Sequence, residues 1–265
     1  MLDCVQFQDC IFDYKTLAHV LHICFGARNV ILKSASSYDS GQEWWNTDKH
    51  PLVFERNQSV SIQSLEIIDC DERCLEGLVD VLTKPSSKSI PVMNLDKLVV
   101  SLSAGIGALR RLLVTPMLSL KKLSIKFQNN ADRSLYLNLG GLSNLRTIHI
   151  QSTYKFGSPE GWIRGLVLSI RSRHLVRIQI DLELNRFLAG PRFWTALDDP
   201  LCLTRDDSPV SFPRLREVKF RLAPPKGMEK HCGRGILASE SVKMQLPKLN
   251  AKGLLVVELV PVLQM

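Results

Sequence analysis

A short apolar pattern that recurs nine times constrains the fold of this chain more than any other feature. The pattern is apolar-x-x-apolar-x-apolar, and its last two apolar residues have the alternate spacing of a strand with one buried face. The middle apolar residues of the nine copies are Val5, Val30, Leu65, Leu98, Leu123, Ile148, Ile178, Val218 and Val257. Successive copies lie 25 to 40 residues apart, which is the period of a repeat protein.

Segments with helical spacing separate several of these strands. Asp71 is placed to cap a helix whose apolar residues recur every three or four positions: Leu75, Leu78, Val79 and Leu82. Asp13 and Ser158 are the predicted caps of two further helices. One strand and one helix cannot bury both of their apolar faces alone, whereas stacked neighbours can. We therefore predict an α/β solenoid with a curved parallel sheet on its concave side, and helices and loops on its convex side.

The spacing predicts a single repeat domain over residues 1–265, with about nine irregular repeats. The longer gaps between copies predict loop insertions near 34–61, 185–212 and 223–245. The first insertion carries Trp44 and Trp45, which either cover the adjacent helix layer or contact a partner. Both interpretations remain open, and the two tryptophans are included among the candidate partner-binding residues.

The residues between the apolar strand positions should project from the concave surface. On strands five to eight these positions carry the candidate partner-binding residues Lys122, Lys126, His149, Arg177, Lys219 and Arg221. Residues 1–100 hold 9 Lys/Arg and 14 Asp/Glu, and the other 25 Lys/Arg and 12 Asp/Glu follow, so the formal charge of +8 divides into −5 and +13. The pattern indicates a basic surface for an acidic protein segment. The alternative, which stays equally open, is that the basic residues serve only to keep the chain soluble.

Motifs for catalysis or cofactor binding are absent from the sequence. There is no G-x-S-x-G nucleophile turn, no phosphate-binding loop of the G-x-x-x-x-G-K-S/T type and no H-E-x-x-H metal helix. His19 and His22 could share a helix face, but surface or core histidines are the favoured interpretation, and Cys70 and Cys74 are interpreted as structural thiols. We predict a protein that is not an enzyme, with no cofactor and no metal.

The two pairs of adjacent aspartates and the cysteines also fit a protein that is not an enzyme. Asp198-Asp199 and Asp206-Asp207 are expected to be solvated, since they flank a predicted loop. Seven cysteines without paired spacing favour reduced thiols in an intracellular compartment, cytoplasmic or nuclear. No apolar run approaches the roughly 20 residues that a membrane-spanning helix needs, so no membrane association is predicted.

The strand pattern resembles that of leucine-rich repeat proteins, L-x-x-L-x-L-x-x-N/C-x-L. The first copy, Leu2-x-x-Val5-x-Phe7-x-x-Cys10-x-Phe12, matches it closely, and the third matches through Ile62-x-x-Leu65-x-Ile67-x-x-Cys70. Irregular repeats of this length, with phrases such as 212–218 (FPRLREV) and 246–254, are similar to the C-terminal halves of fungal F-box proteins. This resemblance implies the substrate-recruiting arm of a ubiquitin ligase.

One departure from that family concerns the F-box itself, a helical module that would precede the repeats. Met1 leads directly into the first strand, so we expect an N-terminal cap or F-box to be missing from this sequence. Docking to the adaptor subunit of the ligase would depend on that missing module and is assigned to no residue here.

The sequence thus predicts a non-catalytic protein–protein interaction scaffold, the substrate-recruiting repeat domain of an F-box-type ubiquitin-ligase adaptor. Its partner would be a protein substrate with an acidic segment, bound through the basic concave face. The alternative is a nucleic-acid-binding solenoid that uses the basic residues of 101–265. It ranks lower because no aromatic positions for base stacking alternate with the basic ones.

Overall fold

A computed structural model describes a set of segments that include all nine predicted strands. The described residues are 2–13, 16–17, 20, 24, 27–37, 62–83, 95–102, 106–114, 119–127, 137–152, 160–183, 191–202, 212–224 and 233–261. Trp44 and Trp45 lie outside them. The chain divides into two compact units, Met1–Leu120 and Lys121–Met265.

The described residues of the first unit form four strands that pair in parallel, in the order in which they occur along the chain. They are β1 (Cys4–Gln8), β3 (Asn29–Lys33), β5 (Ser64–Ile68) and β6 (Lys97–Leu102), and a separate short pair is β2 (Ile11–Phe12) with β4 (Ser36–Ser37). The predicted middle residues Val5, Val30, Leu65 and Leu98 lie opposite one another in register. Equivalent residues of successive repeats therefore form one continuous apolar row.

The described part of the first unit also includes two long helices, α1 (Glu72–Thr83) and α2 (Ile106–Val114). The predicted cap of α1 is confirmed, because the Asp71 Oδ1 atom accepts a hydrogen bond from the backbone N–H of Cys74 at 2.6 Å. The four apolar residues predicted for α1 are all buried. Helix α2 was not predicted from the sequence; its buried Leu109, Leu112 and Leu113 face the core as α2 packs against α1.

Three strands of the first unit end in the same backbone conformation. Asp9, Ser34 and Asp69 follow β1, β3 and β5 directly, and their φ angles of 52°, 50° and 53° lie in the left-handed region. The backbone N–H of Asp9 bonds to the carbonyl of Lys33, and that of Ser34 to Ile68. The parallel ladder thus extends one residue past β1 and β3, and the chain turns at an equivalent position after all three strands.

In the part of the second unit that the structure describes, five strands pair in parallel, again in chain order. They are β7 (Lys122–Phe127), β8 (Thr147–Ser152), β9 (Arg177–Glu183), β10 (Glu217–Ala223) and β11 (Leu255–Leu259). Every middle residue predicted from the repeat lies in a strand, so the prediction of nine strands at these positions is confirmed. The fold is α/β with parallel strands in a solenoid-like succession.

The register of the last strand differs from the one that the repeat pattern indicates. Val218 lies opposite Leu255, and Val257 lies opposite Phe220 instead of Val218. The physical reason lies just before β11, where Gly253 adopts a φ of 66° and ends a short helix. This turn places the Leu254 carbonyl where it accepts a hydrogen bond from the Val218 N–H, which shifts the pairing by two residues.

The second unit has four described helices: α3 (Glu160–Ser169), α4 (Pro191–Cys202), α5 (Gly233–Gln245) and α6 (Pro247–Ala251). Two of them lie within segments that the spacing of the repeats marks as insertions, α4 within 185–212 and α5 within 223–245. In α4, Trp194, Leu197 and Leu201 recur at helical spacing and are buried. The ring of Trp194 packs edge-on against Phe220, with centroids 5.2 Å apart.

Asp198 corrects a second expectation, because it is buried and not solvated, with only 4% of its surface exposed. Its two carboxylate oxygens accept the backbone N–H groups of Lys248 and Leu249, each at 3.0 Å. The carboxylate therefore caps the start of α6 and joins it to α4. Across the described segments, none of the helices has the length and apolar character that crossing a membrane requires.

Candidate partner-binding face

The second unit exposes one polar strand face, formed by the residues that alternate with the buried apolar ones. We call it the polar face; its members are Lys122, Ser124, Lys126, Thr147, His149, Gln151, Arg177, Gln179, Asp181, Glu183, Glu217, Lys219, Arg221, Val256 and Glu258. It contains the six charged or histidine candidates from the sequence analysis. The other two candidates, Trp44 and Trp45, lie outside the described residues.

Strand pairing arranges the polar face in rows that run across the strands. The first row is Lys122, Thr147, Arg177 and Glu217. The second row is Ser124, His149, Gln179, Lys219 and Val256, and the third is Lys126, Gln151, Asp181, Arg221 and Glu258. Direct neighbours in a row belong to adjacent strands, so the repeat register decides which side chains interact.

Asp181 is the centre of the densest polar network on this face. Its side chain is only 2% exposed, and it accepts hydrogen bonds from Gln179 at 2.9 Å and from Arg221 at 3.1 Å. His149 Nε2 lies 3.0 Å from the Asp181 Oδ2 atom. Burial alone would raise the pKa of Asp181, but the hydrogen bonds from His149 and Gln179 and the charge of Arg221 together lower it.

The imidazole of His149 is held on both sides. Its Nδ1 atom lies 3.2 Å from the Ser124 hydroxyl, and its Nε2 atom faces Asp181. Because an ionised carboxylate can only accept, Nε2 carries a proton that is donated to Asp181. The ring is therefore fixed across three adjacent strands.

Serine, histidine and aspartate in this order invite a catalytic interpretation, since hydrolases activate a serine through such a chain. Ser124, however, lies in the middle of β7, whose backbone groups belong to the ladder with β8. In the described part of the polar face, no pair of backbone N–H groups is therefore directed above the sheet to stabilise an oxyanion. The contacts seen here hold polar side chains of three adjacent strands in fixed positions.

Ion pairs connect the remaining strands of the polar face. Arg177 and Glu217 form a two-point pair, with Nε to Oε1 at 2.9 Å and Nη2 to Oε2 at 3.2 Å. Lys219 lies 2.6 Å from Glu258, and Arg221 approaches the same carboxylate at 3.8 Å. The predicted basic residues are thus largely matched by acidic neighbours.

Basic and acidic side chains therefore alternate on the polar face, which is not a uniform basic stripe. Five Lys/Arg residues stand beside four Asp/Glu residues, Asp181, Glu183, Glu217 and Glu258. The prediction of a basic surface gave more weight to the basic positions than to these acidic neighbours. The signal that could have found them is the alignment of the repeats, because it places Arg177 beside Glu217 and Asp181 beside Arg221.

The corresponding strand face of the first unit is less charged. Gln6 donates to Gln8 at 3.1 Å, Lys97 forms an ion pair with Glu66, and Ile31 contributes a half-buried apolar side chain. Ser101 donates to Asp69 at 3.1 Å, next to the left-handed turn that follows β5. This face combines amides and apolar groups, as the sequence of its strands indicates.

Cys70 and Cys74 are buried in the first unit, at 6% and 1% exposure. A hydrogen bond between the two thiols and burial raise the pKa of Cys74, whereas the same bond lowers that of Cys70. A buried thiol with a raised pKa is a weak nucleophile. Within the described segments, no group of three or more His, Cys, Asp or Glu side chains is arranged to hold a metal ion.

No model of a protein family matches the chain. A search of curated proteins finds no significant match.

Proposed function

We propose that this chain is a non-catalytic protein–protein interaction scaffold of the leucine-rich repeat type. The proposal is supported chiefly by the polar face, where strands paired in repeat register present fifteen side chains on one surface. Repeat proteins use such extended surfaces to bind other proteins. Side chains held by mutual hydrogen bonds and ion pairs lose little conformational freedom on binding, which favours affinity.

The finer part of the proposal is that the chain is the substrate-recruiting region of an F-box-type ubiquitin-ligase adaptor. It is supported by the leucine pattern and the phrases quoted above, and it assigns the bound protein as a ligase substrate. The F-box would dock to the adaptor subunit of the ligase, so that this chain needs to supply only the substrate-binding face.

Affinity purification of the full-length gene product from its own cells tests the ligase assignment. The adaptor and cullin subunits of a ubiquitin ligase should be recovered with it at a level well above that of an unrelated tagged protein. If neither subunit is recovered, the F-box assignment is wrong. The proposal of an interaction scaffold would then be tested by charge-reversal variants of the polar face alone.

Charge reversal on the polar face tests which surface binds. We expect Lys122→Glu combined with Arg177→Glu to lose the protein partners that the unmodified chain recovers. Arg164→Glu combined with Arg173→Glu is the matched control, since both arginines are exposed but lie outside the polar face. Equal recovery by both double variants would contradict binding through this face.

Direct nucleic-acid binding is the competing outcome of these experiments. It would show as a steep loss of affinity with salt. The acidic residues of the polar face weigh against it, because Glu217, Asp181 and Glu258 would lie beside the phosphates that their arginine and lysine partners contacted.

A further inference from the structure

Positive charge on the polar face is concentrated at the first strands of the second unit. The face residues of β7 and β8 include Lys122 and Lys126 but no carboxylate. On β9 to β11, three basic residues stand beside all four acidic ones. An anionic group that approaches this face therefore meets the least repulsion over β7 and β8.

Lys122 is distinguished by its lack of partners. Arg177, Lys219 and Arg221 form ion pairs, and Lys126 is engaged as well. For Lys122, in contrast, the described residues supply neither a hydrogen bond nor an ion pair, and its side chain is exposed. Its charge is available to a ligand without breaking an existing contact.

The first row of the polar face places a hydroxyl between two cations. Thr147 lies directly opposite Lys122 on one side and Arg177 on the other. Adjacent strands are about 4.8 Å apart, so all three side chains can reach one group held above Thr147. Like the Lys122 ammonium, the Thr147 hydroxyl has no hydrogen-bond partner among the described residues.

Arg177 retains donors for such a group although it is paired with Glu217. A guanidinium has five N–H donors, and Glu217 accepts from two of its nitrogens, Nε and Nη2. Glu217 also fixes the direction of the guanidinium, because a two-point pair holds its plane. The Nη1 donors remain available, and more than half of the Arg177 side chain, 54%, is exposed.

We propose that Lys122, Thr147 and Arg177 form a binding site for an anionic side chain, a carboxylate or a phosphate, of a protein partner. The inference rests on the proposed function and deepens it, because it specifies where on the polar face the charged residue of the partner binds. The ammonium and the guanidinium neutralise the anion from both sides, and the threonine hydroxyl donates to an oxygen between them. Bonds of this charge-assisted kind are the stronger hydrogen bonds of proteins.

Titration of the complete chain with small anions, followed by amide NMR, tests the site. Sodium phosphate and sodium acetate are the probes, and sodium chloride at equal ionic strength is the reference. We expect saturable shifts of the Lys122, Thr147 and Arg177 amides, with affinity reduced about tenfold or more by Lys122→Gln or by Thr147→Val, since each removes one charge-assisted hydrogen bond. Arg164→Gln should leave the affinity unchanged.

Each possible result of the titration either supports or overturns the proposed site. A response to phosphate alone assigns the site to phosphate groups, and a response to both probes assigns it to anionic side chains in general; either supports the proposal. Shifts that match those in chloride, or that both substitutions leave unaltered, overturn it. Failure here is independent of the ligase assignment, which depends on recovery of the adaptor and cullin subunits.

Discussion

At the scale of single residues, the carboxylate of Asp181 is the point at which hydrogen bonds from several side chains of the polar face meet. The side chain is 2% exposed and bonds to His149, Gln179 and Arg221. We expect Asp181→Asn to lower the free energy of unfolding by about 2 kcal/mol, because hydrogen bonds to charged groups contribute about 1.5–3 kcal/mol each and the amide keeps one acceptor. Urea denaturation measures the change. Asp3→Asn, an exposed control, should alter stability by less than about 0.5 kcal/mol.

Acidic pH should remove the same contribution. The folded state lowers the pKa of Asp181, so the unfolded chain takes up the proton first as the pH falls below the ordinary value of about 3.9. The stability from Asp181 is therefore present above that pH and is lost as the pH falls through the folded-state pKa. The difference between the unmodified chain and Asp181→Asn, measured by urea denaturation, should shrink below about pH 4. A difference that stays constant there would contradict a lowered pKa.

Asp198 gives a second prediction at this scale, through the cap of α6. Asp198→Ala leaves the N–H groups of Lys248 and Leu249 without their acceptor, and we expect a loss of about 2 kcal/mol. Asp198→Asn keeps one acceptor oxygen and should cost less. Amide hydrogen exchange at Lys248 and Leu249 measures the effect locally; equal exchange in the alanine variant and the unmodified chain would refute the capping role.

Asp198 also shows what residue-level analysis of the sequence could not provide. Its partners lie 50 and 51 residues further along the chain, and no local pattern connects them. A polar residue next to Asp199 and Pro200 is typical of a solvated turn. Burial here depends on tertiary packing of α6, which only the structure describes.

At the scale of elements, the strands were predictable and several helices were not. Each strand of the repeat has its own alternation of apolar and polar residues, and the neighbouring strand repeats the same alternation. The nine middle residues therefore identify nine strands. Helix α5 has no comparable apolar stripe, and α4 begins at Pro191 after a segment without a clear cap. Pairings within the polar face followed from the repeat register, except at β11, where the turn at Gly253 shifts it.

The left-handed turns that follow β1, β3 and β5 give a prediction for these elements. Ser34 has a φ of 50° and is exposed, so a substitution changes mainly the backbone preference. We expect Ser34→Val to lower the free energy of unfolding by about 1–2 kcal/mol, since branched residues resist this region, whereas Ser34→Gly should be tolerated. Urea denaturation checks both. Ser143→Val is the matched control, because Ser143 is exposed with an ordinary φ; an equal loss there would remove the turn as the cause.

At the scale of the whole molecule, stability should be local, as expected for a chain of repeats in which each contacts its neighbours. Leu65 and Ile178 are fully buried at equivalent positions of the two compact units. Truncation of such residues to alanine costs about 2–5 kcal/mol. We expect Leu65→Ala to increase amide exchange in β3, β5 and β6 with little effect on β8 to β10, and Ile178→Ala to do the reverse. Each variant is thus the control for the other. Exchange that rises equally in both units with either substitution would mean that the chain unfolds as one cooperative body, and the description of its stability as a sum of neighbouring repeats would be wrong.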